Sequence, residues 1–194
     1  MFIRLKKVKK RDKKIYEYAH LVHGVWRKRR SIIKEGKGGF RKFNNSIHSY
    51  KGFLGRVYKF DDEKKVEFDS FFSDFRNFVN KNEVNKIYEK LLEYELLSRG
   101  FAKKRGLFVN EGIFVDLNRL IVHNGRGDVV VKLRAFSGCL CSFTLNELFK
   151  VDKVTNRYEG MYLMKKLKAV GIALSGEQFF ILVDELLKKN SVNN

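Results

Sequence analysis

The sequence predicts an α+β fold: a basic three-stranded antiparallel sheet, a helical pair, then a three-stranded meander with C-terminal helices. Three observations carry that prediction. Apolar residues alternate with period two near the N-terminus, shift to a helical period after residue 61, and return to period two between 101 and 136. Charge divides the chain at the same place. Residues 1–60 hold 19 Lys and Arg against three acids, Asp12, Glu17 and Glu35, which is +16 of the total +19. The remainder holds 22 basic and 19 acidic side chains and is nearly balanced. Finally, 194 residues with 44% hydrophobic content, 18 Phe and 8 Tyr suffice for the core of one large domain or two small ones. The expected regions are a basic β nucleic-acid-binding region at 1–60, a helical pair or stalk at 61–99, and an α+β domain at 100–194.

Residues 2–8 and 15–29 read as two strands, with Gly24 as a bulge or kink in the second. The polar Arg11-Asp12-Lys13 between them marks a hairpin. Basic residues alternate with apolar ones in Phe2-Ile3-Arg4-Leu5-Lys6, a pattern that predicts one cationic face. The stretch 31–49, with Gly36, Gly38, Gly39, Asn44 and Asn45, reads as a cationic loop, and 50–60 as a third strand. Phe68, Phe71, Phe72, Phe75 and Val79 lie on one stripe of a helix expected over 61–82, with Asp61 and Asp62 at its positive end. Asn82 is the expected cap of a second helix over 83–98, which Gly100 stops.

Strands are expected over 101–109, 112–122 and 128–136, joined by Asn110-Glu111-Gly112 and by Asn124-Gly125-Arg126-Gly127-Asp128. Thr144 with Glu147 forms a capping-box pattern for a short helix. A further helix over 157–170 ends at Gly171, and Ser175 with Gln178 opens the last one, to about 189.

Met1-Phe2-Ile3-Arg4, Lys6-Lys7, Tyr16-Glu17-Tyr18, Leu21-Val22, Trp26-Arg27-Lys28-Arg29, and Tyr50 followed by Leu54-Gly55-Arg56 together resemble the N-terminal DNA-handling segment of DDE-type insertion-sequence transposases. The resemblance covers about a third of the chain and implies DNA contact. No catalytic domain of the size those enzymes use follows within these residues, so it implies no transposition. Residues 96–187 resemble uncharacterised proteins of small-genome archaea, which implies no particular function.

Charge this lopsided repels itself, and a polyanion is the usual partner that relieves it. Cations neutralise phosphates and aromatics stack on exposed bases. The candidate contacts on and between the first two strands are Arg4, Lys6, Lys7, Lys9, Lys10, Arg11, Lys13, Lys14, Tyr16, Tyr18 and Trp26. Arg27, Lys28, Arg29 and Arg30 follow, then Lys34, Lys37, Arg41 and Lys42 in the loop, and Lys51 and Arg56 on the third strand. The expectation is non-enzymatic nucleic-acid binding, DNA ahead of RNA, with an RNA- or ribosome-associated factor and a nuclease or transposition accessory as alternatives. A Lys-, Asn-, Ile- and Phe-rich chain without proline also fits AT-rich coding, but that leaves the balanced remainder unexplained.

Other chemistries are less well supported. His20 and His23 with Cys139 and Cys141 supply zinc-ligand types, but strand alternation sends the two histidines to opposite faces. No metal site and no cofactor is expected. Glu111, Asp116, Asp128 and Lys132 have no diagnostic nuclease spacing, and Gly36-Lys37-Gly38-Gly39 lacks the P-loop pattern. The last helix is too acidic for a recognition helix, so the C-terminal helices are expected to cover the second sheet or to form a homodimer or protein-partner surface. No apolar run spans a bilayer, no signal-peptide core opens the chain, and two close cysteines make no disulfide framework, which together predict a cytoplasmic protein.

Overall fold

The computed structural model describes residues 1–28, 44–60, 66–133 and 138–192, divided into two units, Met1–Leu54 and Gly55–Asn194. The chain is α+β, as its patterning predicts. It opens with β1 (Phe2–Lys9), β2 (Ile15–Lys28) and β3 (Asn44–Lys59). Antiparallel pairing of β1 with β2 runs from Phe2 opposite Val22 to Lys9 opposite Ile15. Against β3, Ser49 meets His23, Tyr50 meets His20 and Phe53 meets Tyr18, an antiparallel sequence of contacts. The third strand begins earlier than its pattern suggests.

Within the second unit come α1 (Phe68–Phe72), α2 (Phe75–Lys81) and α3 (Val84–Ser98). The single helix expected over 61–82 is broken: Ser73 takes a φ of 53°, and the Asp74 carboxylate accepts the Asn77 N–H at 2.9 Å to start a new helix. The phenylalanine stripe survives the break, because Phe68 packs on Phe72 and Phe75 with ring centroids 4.5 and 5.1 Å apart. Residues 61–65, including Asp61 and Asp62, lie outside the described residues. Asn82 does not cap α3; its side chain donates back to the Phe78 carbonyl, and Glu83 stands at the N-cap without a side-chain bond. Nor are these helices a stalk. The Tyr88 hydroxyl donates to the Val151 carbonyl at 3.0 Å, and Arg76 is 2.8 Å from Glu185, so both helices are built into the body.

The expected meander is also corrected. Instead of three long strands there are four short ones, β4 (Ala102–Lys104), β5 (Leu107–Asn110), β6 (Ile113–Asp116) and β7 (Ile121–His123), in sequential antiparallel order. Arg105-Gly106 and Glu111-Gly112 each place two consecutive residues at positive φ, the requirement of a two-residue type I′ hairpin. β8 (Val129–Lys132) leaves the meander and pairs in parallel with the second half of β3, Arg56 opposite Val129 through Lys59 opposite Lys132. Parallel strands are covered on both faces, and Val129, Val130 and Val131 are all buried. Gly55, at φ +119°, permits this pairing, since a Cβ there would collide with the Asp128 carbonyl.

The chain ends in α4 (Ser142–Phe149), α5 (Arg157–Val170) and α6 (Gly176–Val192). Cys141, not Thr144, is the N-cap of α4; Thr144 is its N3 residue and closes the box by accepting the Cys141 N–H. Gly171 ends α5 in the left-handed conformation, and Ser175 with Gln178 opens α6, both as the sequence predicts. Leu145, Leu163, Leu167, Leu182 and Leu186 share one core with Phe108, Ile113 and Val122 from the meander and Ile87 and Leu91 from α3. No described helix is long and apolar enough to cross a membrane.

Candidate nucleic-acid interface

The hairpin between β1 and β2 concentrates charge. Lys13 adopts a φ of 64°, and the turn is held by Lys10 N–H to Lys14 carbonyl at 3.0 Å and Lys13 N–H to Lys10 carbonyl at 2.9 Å. Its one acid is occupied locally: Asp12 accepts the Lys14 N–H at 3.1 Å and the Tyr16 hydroxyl at 2.9 Å. Lys10, Arg11, Lys13 and Lys14 all remain exposed around it. Lys10 Nζ lies 4.9 Å from the Tyr16 ring centroid, a cation–π distance.

The expected single cationic face is corrected by the register. Cross-strand partners share a face, so Arg4 and Lys6 stand with His20 and Tyr18, while Lys7 and Lys9 stand on the other face with Glu17 and Ile15. Lys7 is 3.8 Å from Glu17. The face bearing Arg4 and Lys6 is chiefly aromatic. His20 meets Tyr50 at 5.7 Å and Phe53 at 5.5 Å, Tyr18 meets Phe53 at 6.0 Å, and Phe2 meets His48 edge-on at 5.4 Å. Gly24 lies beside these rings, where an added Cβ would sit in ordinary van der Waals contact with Phe2 and His48 at 3.4 and 3.6 Å. Tyr50 is 64%, Phe53 57% and Phe2 42% exposed. A groove of about 580 Å³ is lined by Arg4, Lys6, His20, Val22, His48 and Tyr50, with Leu5 and Lys7 from the alternate positions of β1, and is within the usual size range of ligand sites.

Matched to known proteins, the chain finds no family model, no curated relative and no solved structure. Its chemistry must be read from its own residues.

The structure thus gathers Arg4, Lys6 and Tyr18 on one face, places Lys10, Arg11, Lys13, Lys14 and Tyr16 at the hairpin, and leaves Lys51 exposed on β3. Arg56 falls in the second unit, over the Tyr58 ring at 4.9 Å. The expectations placed on the side chains of Trp26, Arg27 and Lys28, and on Arg29, Arg30, Lys34, Lys37, Arg41 and Lys42, lie outside the described residues, as does Gly36-Lys37-Gly38-Gly39. Sequence reasoning missed Phe2, His48 and Phe53 and weighed His20 only as a metal ligand. The signal for Phe53 was an apolar ring in the glycine-containing run Gly52-Phe53-Leu54-Gly55.

Among the described residues, no three His, Cys, Asp or Glu side chains are grouped to hold a metal. Cys139 and Cys141 are buried thiols, and burial pushes the Cys141 thiol up, away from the thiolate a metal would need. The nuclease arrangement is not assembled either. Asp116 accepts the Asn118 and Arg119 N–H groups, both at 3.0 Å, in a local turn. Glu111 sits in the turn that precedes β6, whereas Asp116 ends that strand, about 10 Å beyond Ile113 at 3.3 Å per residue. A smaller pocket of about 190 Å³ near Phe108 is ringed by self-paired charges, with Glu93 3.2 Å from Lys90 and 3.1 Å from Lys103.

Proposed function

We propose that the protein binds nucleic acid without chemical turnover, gripping the phosphate backbone through its N-terminal β-sheet and the hairpin 10–14, with DNA as the first candidate polymer. One observation carries this reading. Four exposed cations crowd a five-residue turn whose only acid is tied up in the turn itself, beside a face that combines Arg4 and Lys6 with open aromatic rings. Such a hairpin makes a local positive potential that a dense polyanion neutralises with release of counterions. DNA comes first because of the transposase-like motifs; RNA presents the same phosphate chemistry and competes in the same assay.

The test is affinity of the full chain for labelled DNA and RNA across a salt series. The expected log–log slope is about −0.9 per neutralised phosphate on duplex DNA and about −0.7 on a single strand. Absence of measurable binding to either polymer at low salt would remove the proposal.

A further inference from the structure

We infer that the aromatic face of the N-terminal sheet is a stacking platform for unpaired bases, so that the polymer held there is single-stranded. This rests on the nucleic-acid reading above and narrows it. A hairpin of cations grips duplex and single strand alike, because both display phosphates. Exposed rings do not. In a duplex the faces of the bases are hidden in the stack, and only their edges and the backbone are available to a protein. An open strand presents base faces, which stack on aromatic side chains largely regardless of sequence.

Tyr50 and Phe53 are 64% and 57% exposed and both pack against His20, which steadies them and leaves ring surface open to solvent. Arg4 stands on the same face, opposite His20 in the register, and Lys6 stands opposite Tyr18. Cations are therefore set beside the rings, where the backbone of a stacked strand needs them. Arg4, Lys6 and Tyr50 line an open groove of about 580 Å³, room enough for a planar base.

The charge argues against the other occupants of such a face. A second copy would bring together two units that each carry 17 basic and three acidic residues, and the repulsion opposes pairing. An anionic lipid surface suits cations with aromatics, but interfacial binding buries one apolar face rimmed by cations. Here Arg4, Lys6, His20 and His48 line the groove itself.

The experiment uses the full chain with four probes at matched salt: a fluorescent oligo-dT, an oligo-rU of the same length, a mixed-sequence DNA duplex, and phosphatidylserine vesicles. Both single strands should bind at least about tenfold more tightly than the duplex, with quenching of tyrosine emission as a base stacks on Tyr50. Replacing Phe53→Leu or Tyr50→Leu keeps apolar bulk and removes the π-face. Each should weaken oligo-dT about five- to a hundredfold while leaving the salt slope unchanged. Tyr50→Phe, which keeps a ring, should restore binding and so separates stacking from loss of fold. Equal affinity for duplex and single strand, with both leucine variants silent, overturns the platform and leaves the phosphate grip standing. Vesicle binding that falls in Phe53→Leu, without a single-strand preference, assigns the face to a membrane surface and overturns it too. No binding to any nucleic acid removes the underlying proposal instead.

Discussion

The two units balance their charges in opposite ways. Met1–Leu54 holds 17 Lys and Arg and three acids, so most of its cations can find no carboxylate of their own unit. Gly55–Asn194 opposes its charges across elements: Arg76 on α2 meets Glu185 on α6 at 2.8 Å, and Lys166 on α5 meets Glu147 on α4 at 2.7 Å. Even Lys189 is used internally. It donates to the Val79 and Asn82 carbonyls at the end of α2, and burial holds its ammonium below the ordinary lysine value. The aromatics divide less cleanly, since Tyr158, Tyr162 and Phe180 of the second unit are exposed as well. Phe72 and Phe75 are buried in a cluster of edge-on rings with Phe68 and Tyr94, whereas Phe2, Tyr50 and Phe53 lie open. Burial of apolar area and local charge pairing stabilise the second unit. Among the described residues of the first, Lys10, Arg11, Lys13 and Lys14 and the rings of Phe2, Tyr50 and Phe53 lie open to solvent.

The sharpest way to break this comparison is through the hairpin. Changing Lys10, Arg11, Lys13 and Lys14 together to Ala should flatten the salt slope by about three to four and weaken nucleic-acid binding by about three orders of magnitude at low salt. Lys81, Lys104, Lys153 and Lys165 are as many exposed cations of the second unit, and their joint replacement by Ala should change the slope by less than about one. Equal effects in filter binding would erase the distinction between the units.

Stability should show the reverse asymmetry. Leu163 is fully buried, so Leu163→Ala should lower the unfolding free energy by about 2–5 kcal/mol. Phe53→Ser, at an exposed ring, should stay within about 0.5 kcal/mol. Urea denaturation of both variants provides the comparison.

A smaller effect is expected at Tyr88, whose phenol burial pushes well above its ordinary pKa while it donates to the Val151 carbonyl. Tyr88→Phe strands that carbonyl and should cost about 1–3 kcal/mol. An unchanged urea midpoint would mean that the bond contributes nothing.

The smallest concerns Glu147, whose carboxyl is held below the ordinary glutamate value of 4.5 by hydrogen bonds from Lys150 and then Lys166. A carboxylate depressed on folding stabilises fully above its unfolded value and loses that contribution as pH falls through its folded value. Glu147→Gln should therefore cost less than about 1 kcal/mol at neutral pH, since the pair is partly solvated. The gap between wild type and variant should close as pH drops below 4.5. A gap that widens on acidification would reverse the assigned sign.

Much of this was legible in the chain, for local reasons. The excess charge of the first sixty residues is a matter of counting, and the β1–β2 hairpin follows from alternation around a polar turn. Gly171 and the Ser175–Gln178 box end and begin helices by chemistry confined to a few residues. The phenylalanine stripe was visible as a period even though Ser73 interrupts its helix. The Val129-Val130-Val131 run held a clue that strict alternation missed: three apolar residues in a row suit a strand covered on both faces, and this one leaves the meander for β3. Only the tertiary structure decided that partnership, because residues 56–59 and 129–132 are far apart in sequence and their pairing depends on a backbone approach at Gly55 that nothing nearby announces. Register decided the rest. The sequence shows which residues alternate along β1 and β2 separately, but the company each keeps depends on how the strands are set side by side, where a slip of one residue exchanges the faces. That setting puts Arg4 with His20, Tyr50 and Phe53, and so turns a count of cations and rings into one surface.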